Sequence, residues 1–74
     1  MLLKDLKEGQ RFMFLDRETP IALITARWQH RSLGTFQVKG SVADGLYPKL
    51  LHEETGREMT AVNATNYREV LPIL

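Results

Sequence analysis

Thr55-Gly56-Arg57-Glu58-Met59-Thr60-Ala61-Val62-Asn63-Ala64-Thr65-Asn66-Tyr67-Arg68-Glu69-Val70-Leu71 is the stretch that decides the fold. Gly56 stands where a short hairpin loop needs a left-handed residue. Residues 58–62 read as the returning strand and 63–66 as a polar turn able to wind one turn of 3₁₀ helix. Residues 67–73 read as a closing strand with Pro72 near its end. Turn, strand, short polar turn and last strand is how a small β-barrel finishes. The pattern points to a fold and leaves the activity unnamed.

Working outward, further strands precede it. Residues 11–15, Arg-Phe-Met-Phe-Leu, form a short apolar strand with two aromatics. Residues 16–20 break it, and Pro20 belongs at a strand start because it has no ladder donor. Residues 21–28 alternate most clearly. Ala22, Ile24, Ala26 and Trp28 point one way, and Ile21, Leu23, Thr25 and Arg27 the other. Residues 29–34 read as a polar connection. Residues 35–43 alternate again, with Phe36, Val38, Gly40 and Val42 facing in and Gly40 marking a bulge or bend. Asp44-Gly45 is a turn signal. Residues 46–52 form either an edge strand interrupted by Pro48 or a strand from Lys49 onward, and Glu54-Thr55-Gly56-Arg57 is the hairpin loop. Residues 1–9 are a lead-in with an apolar side, Leu2, Leu3 and Leu6, and room for a single helical turn.

Five or six short strands at roughly 8–12-residue spacing, with no long amphipathic helix, predict an all-β domain. Closure into a barrel removes the sheet edges economically. The expected core is Phe12, Phe14, Ile24, Trp28, Phe36, Val38, Val42, Met59, Val62, Val70 and Leu71. The alternative is an open sheet packed on residues 2–6 as a short helix.

The chain of 74 residues has room for one domain, residues 1–74, and one core. It has no cysteine, which excludes disulfides and thiolate metal sites and fits a reducing cytoplasm. No apolar run approaches the roughly 20 residues of a membrane span. No signal-peptide pattern follows Met1, since Lys4 and Asp5 come at once. Net charge is +1, too small to imply a nucleic-acid partner by itself. Its distribution says more. Residues 19–43 hold Arg27, Arg31 and Lys39 and no acid, whereas acids outnumber bases from Asp44 to the end.

The chain resembles SH3 domains in two places. Residues 5–15 look like the segment in which an apolar residue, a Lys and a Gly lead into an early strand. Thr55-Gly56-Arg57-Glu58, followed by Asn66-Tyr67, looks like the ending in which a 3₁₀ turn carrying Asn-Tyr precedes the final strand. Together these cover about half of the chain. The resemblance implies a single small SH3-like barrel of five or six strands. It does not imply recognition of PxxP peptides. There is no Ala-Leu-Tyr-Asp-Tyr-like opening, and Trp28 is followed by Gln29 rather than by a second tryptophan. Tyr67 alone matches a groove position of that family, and a structural role for it is the favoured reading.

Candidate contact residues cluster around Arg27-Trp28-Gln29-His30-Arg31 with Phe36 and Lys39. If residues 21–28 pair with 35–43, Arg27 and Lys39 share an outer face and His30 and Arg31 sit at the tip. Cations beside aromatics suit phosphate contact with base stacking. Two readings stand for Trp28 and Phe36. Their place on the apolar sets favours the core, with solvated cations around them, and the other reading makes them a stacking platform. Tyr47 and Tyr67 complete the set. His30 and His52 have no ligand spacing around them and read as surface histidines. Glu53-Glu54 reads as a solvated hairpin end. The glycines are isolated, so there is no phosphate-cradling loop.

No enzyme activity, cofactor or metal is therefore expected. The expectation is a binding module that acts by protein–protein contact, self-association included. Leu2, Leu3, Leu46, Leu50, Leu51, Ile73 and Leu74 are many to bury in so small a barrel, and exposed apolar surface marks interfaces. Nucleic-acid binding through Arg27, His30, Arg31 and Lys39 is the alternative.

Overall fold

The computed structural model describes residues 1–15, 20–21, 30–31 and 34–73. Five of the strands fall within segments whose sequence reads as strand, and two short strands are added to them. These are β1 (Arg11–Phe14), β4 (Phe36–Gly40), β5 (Lys49–His52), β6 (Arg57–Thr60) and β7 (Val70–Ile73), with the two-residue strands β2 (Pro20–Ile21) and β3 (His30–Arg31). The all-β expectation holds. Five strands form one antiparallel sheet in the order β6-β5-β4-β1-β7, and β2 and β3 pair apart from it. The ambiguous segment before His52 resolves into a strand from Lys49 onward.

The core grows from β1. Phe12 and Phe14 lie two residues apart on one face, and Phe36 stands directly opposite Phe12 across the β1–β4 ladder. Their rings meet at 5.2 Å edge to face (Phe12–Phe14), 5.8 Å stacked (Phe12–Phe36) and 5.2 Å edge to face (Phe14–Phe36). Such pairs stabilise beyond the area they bury. Val38, Leu50, Met59, Ala61 and Val70 extend the cluster, and Val42 packs against it. The lead-in supplies the rest. A 3₁₀ turn at Leu3–Asp5 carries Leu3, and Leu6 follows, both buried in the same cluster.

Several expectations are corrected. The sheet does not close into a barrel, and the alternative of an open sheet on a short helical lead-in describes the molecule better. The reason lies at β7. Its outer edge is taken by residues 1–3: Val70 N–H donates to Met1 C=O at 2.8 Å, and Leu3 N–H to Arg68 C=O at 3.0 Å. Farther along, Pro72 has no N–H to offer. Leu71 is 51 % exposed and not core, because it faces away from the buried side of β7. Val62 is only half-buried, at the cap of the second 3₁₀ turn. Leu3, Leu6 and Leu50 are absorbed by the core, so fewer leucines remain exposed than the sequence suggested. The connection 29–34 contains a strand, because His30 and Arg31 pair with Ile21 and Pro20. Those residues do not pair with β4, which lies between β1 and β5. Ile24, Arg27, Trp28 and the other residues from 22 to 28, where the sequence predicts most of a strand, lie outside the described residues.

Candidate protein-contact surface

The loop between β4 and β5 begins at a bulge. The β4–β5 register shifts between Val38 and Gly40, and Gly40 and Ser41 take positive φ, 153° and 59°. The loop then turns back on itself, with Leu46 N–H donating to Ala43 C=O at 3.0 Å. It ends at buried Pro48, whose C=O accepts from Ala61 N–H at 2.8 Å. Opposite lies the second 3₁₀ turn, Asn63–Tyr67.

Two asparagines bind loop to turn. Asn66 is fully buried. Its Nδ2 donates to Ala43 C=O and Leu46 C=O, each at 2.9 Å, and to Asn63 Oδ1 at 3.0 Å. Asn63 Oδ1 also accepts from Gly45 N–H at 3.0 Å. Three oxygens around one nitrogen fix the orientation of the Asn66 amide. A buried amide serving loop carbonyls holds the backbone in one geometry, because the alternative is an unsatisfied polar group.

On this framework stand side chains that the core does not use. Leu46 is 48 % exposed, Tyr47 55 % and Tyr67 47 %. Leu46 offers its carbonyl to Asn66, and Tyr67 is the next residue, so the clamp places the backbones of Leu46 and Tyr67 together. Lys4 Nζ lies 5.9 Å from the Tyr67 ring centroid, within cation–π range. The exposed Tyr67 ring thus has a cation beside it.

The acidic pair Glu53-Glu54 sits in the turn between β5 and β6 as a solvated hairpin end, with Glu54 exposed and Glu53 half-buried, and both carboxylates also tie the hairpin to its neighbours. Glu53 accepts a two-pronged bond from Arg11, Nε to Oε2 and Nη2 to Oε1, both at 2.9 Å. That bond holds the Glu53 carboxyl below the usual carboxylate range and raises Arg11. Glu54 accepts from Thr35 N–H at 2.9 and 3.1 Å, which lowers its pKa, with a smaller contribution from His52. His52 is not a surface histidine. It is 6 % exposed, and its ring centroid lies 4.8 Å from that of Phe36. Its Nδ1 meets Thr55 Oγ1 at 2.9 Å and its Nε2 meets Glu54 Oε2 at 3.1 Å. The sequence signal for this was alternation, since His52 lies two residues from buried Leu50 on one strand face.

Of the basic candidates, Lys39 is exposed on β4, His30 and Arg31 form β3, and Arg27 lies outside the described residues. Among the described residues no ladder joins β3 to β4, so nothing there brings Lys39 beside His30 and Arg31. No three metal-ligating side chains come together among the described residues, and no described helix is long and apolar enough to cross a membrane. Asn66, Asn63 and the loop carbonyls they hold were not read from the sequence as a unit. Their partners lie about 20 residues away, and no local pattern reports such a bond.

Comparison of this chain with family models, with curated proteins and with solved structures finds no match.

Proposed function

We propose that this chain is a small non-enzymatic binding module acting through protein–protein contact, with Leu46, Tyr47 and Tyr67 as its contact surface. The observation that carries the reading is exposed aromatic and apolar side chains on a backbone clamped by a buried asparagine. Large aromatics supply interface hot spots, and a fixed backbone lowers the ordering cost of binding. The SH3-like reading belongs here too. A first strand paired with the last, a sheet continuing through β4, β5 and β6, and a 3₁₀ turn carrying Asn66-Tyr67 before β7 support it. The absence of cysteine fits work in a reducing cytoplasm.

The test is selection of peptides from a displayed random library, followed by titration of the winners. Tyr47→Ala and Tyr67→Ala should each weaken binding about tenfold or more, with the melting temperature unchanged. Winners that bind both variants as well as the parent would sink the reading. A parallel salt titration with mixed oligonucleotides separates the alternative. A log–log slope of about −2 to −3, lost on Lys39→Glu or Arg31→Glu, would move the function to nucleic acid.

A further inference from the structure

The turn signal Asp44-Gly45 lies beside the contact surface. Leu46 N–H donates to Ala43 C=O at 3.0 Å, so Asp44 and Gly45 are the two central residues of a β-turn. Among the described residues the one positive φ outside glycine is at Ser41, so Asp44 is negative and Gly45, at 82°, completes a type II turn. A side chain at Gly45 would be strained, which is why glycine follows the aspartate. That pairing has a chemical consequence. With no Cβ in the way, the Gly45 main-chain nitrogen is able to close on the Asp44 carboxyl carbon. Both residues are exposed. Beyond the chain neighbours, no described atom lies within 4 Å of where a Gly45 Cβ would stand.

Two asparagines bear on this reaction. Asn63 Oδ1 accepts from Gly45 N–H at 3.0 Å. The nitrogen has to give up that proton and turn toward the carboxyl to attack, so the bond opposes ring closure. Asn66 Nδ2 grips Ala43 C=O and Leu46 C=O, the two ends of the turn, each at 2.9 Å. That double grip depends on the length of the turn.

We propose that Asp44 is a site of isomerisation through a succinimide, restrained by Asn63, and that conversion releases Leu46 and Tyr47 from the Asn66 clamp. Gly45 N forms a bond to Asp44 Cγ. One water leaves, its oxygen from the carboxyl group and its hydrogens from the Gly45 N–H and the carboxyl proton. Water then adds at the Asp44 α-carbonyl carbon, and the bond from that carbon to Gly45 N breaks. The product is isoaspartate, equal in mass to the parent. Its main chain runs through Cβ and Cγ and is longer by one carbon, and the former α-carbonyl is a free carboxylate. A longer turn does not hold both carbonyls on one nitrogen, so the backbone under Leu46 and Tyr47 loses its support. The loss of binding rests on the protein-contact reading, whereas the isomerisation does not.

Incubation of the full chain near neutral pH tests it, with isoaspartate at residue 44 read by methyltransferase labelling of proteolytic peptides. The parent unfolded in urea should convert about tenfold faster or more than the folded parent, because unfolding takes Gly45 N–H from Asn63. Folded Asn63→Ala should convert about threefold faster or more than the parent. Asn63→Asp keeps an acceptor oxygen for Gly45 N–H and should hold the parent's rate. The comparison in urea carries the test if Asn63→Ala does not fold. Converted chain, separated by ion exchange, should melt lower than the parent and bind the library-selected peptides with a loss of about tenfold or more. Equal rates in urea and in the folded parent overturn the proposal, as does a folded Asn63→Ala that converts no faster. A converted chain that melts and binds as the parent does also overturns it. Where Tyr47→Ala and Tyr67→Ala leave peptide binding intact, the aromatic surface falls, and the rates and the melting shift still decide this inference.

Discussion

Replacing Asn66 should be the most informative change in this domain. Asn66→Ala removes a buried amide from three oxygens at 2.9, 2.9 and 3.0 Å. The three do not suffer equally. Ala43 C=O keeps Leu46 N–H, and Asn63 Oδ1 keeps Gly45 N–H. Leu46 C=O loses the side-chain donor that ties it to the 3₁₀ turn. One carbonyl left without that donor, two weakened acceptors and a small void should cost about 2–3 kcal/mol. A domain of this size commonly holds about 4–11 kcal/mol in all. Urea unfolding should show the loss, and the melting temperature should fall by about 10–20 °C. Asn66→Asp sharpens the test. A carboxylate there faces carbonyl oxygens and is buried, so its folded pKa must lie above its unfolded value. Stability relative to the parent is then best below about pH 4 and declines as pH rises toward the raised folded pKa. At neutral pH Asn66→Asp should be less stable than Asn66→Ala. A cost under about 0.5 kcal/mol for Asn66→Ala, or an Asp variant with no such pH dependence, would refute the clamp.

Acid should destabilise the parent through Glu54, whose lowered carboxyl contributes above the usual carboxylate value and stops contributing as pH falls through its folded value. Glu54→Gln should flatten the stability profile between about pH 5 and pH 3, followed by circular dichroism. If the profile keeps its slope, Glu54 does not hold Thr35. Gly34 has a φ of 84°, and a Cβ there would lie 2.7 Å from Glu54 Cδ. Gly34→Ala should therefore cost about 1–2 kcal/mol in urea unfolding and loosen the Glu54 contacts, whereas neutrality would show that the carboxylate moves freely. Phe36 is fully buried between Phe12, Phe14 and His52. Phe36→Ala should cost about 3–5 kcal/mol and leave little folded protein at 37 °C by near-ultraviolet circular dichroism. A well-folded variant would move the centre of the core elsewhere.

Local chemistry wrote much of the fold into the sequence. Alternation placed Phe12, Phe14, Phe36 and Val38 inside because a strand turns each second side chain to the same face. Gly40 announced the bulge and Gly56, with φ 71°, the hairpin loop, since both need backbone that few residues adopt. The polar residues 63–66 wound into a 3₁₀ turn as their composition implied, whereas the choice between an edge strand through Pro48 and a strand from Lys49 was made only by the tertiary structure. What the sequence could not show depends on partners remote in the chain. Residues 1–3 blunt β7 through backbone bonds that carry no side-chain signature, and so the sheet stays open. Leu71 satisfies the strand pattern equally well on either face, and only the pairing Met13↔Leu71 sets which face it takes. Asn66 looks like any turn asparagine until the loop folds over it, and His52 looks like any polar residue until Phe36 lies against it. Periodicity decides what alternates, but only tertiary packing decides which polar groups are buried, because a buried donor is defined by an acceptor elsewhere in the chain.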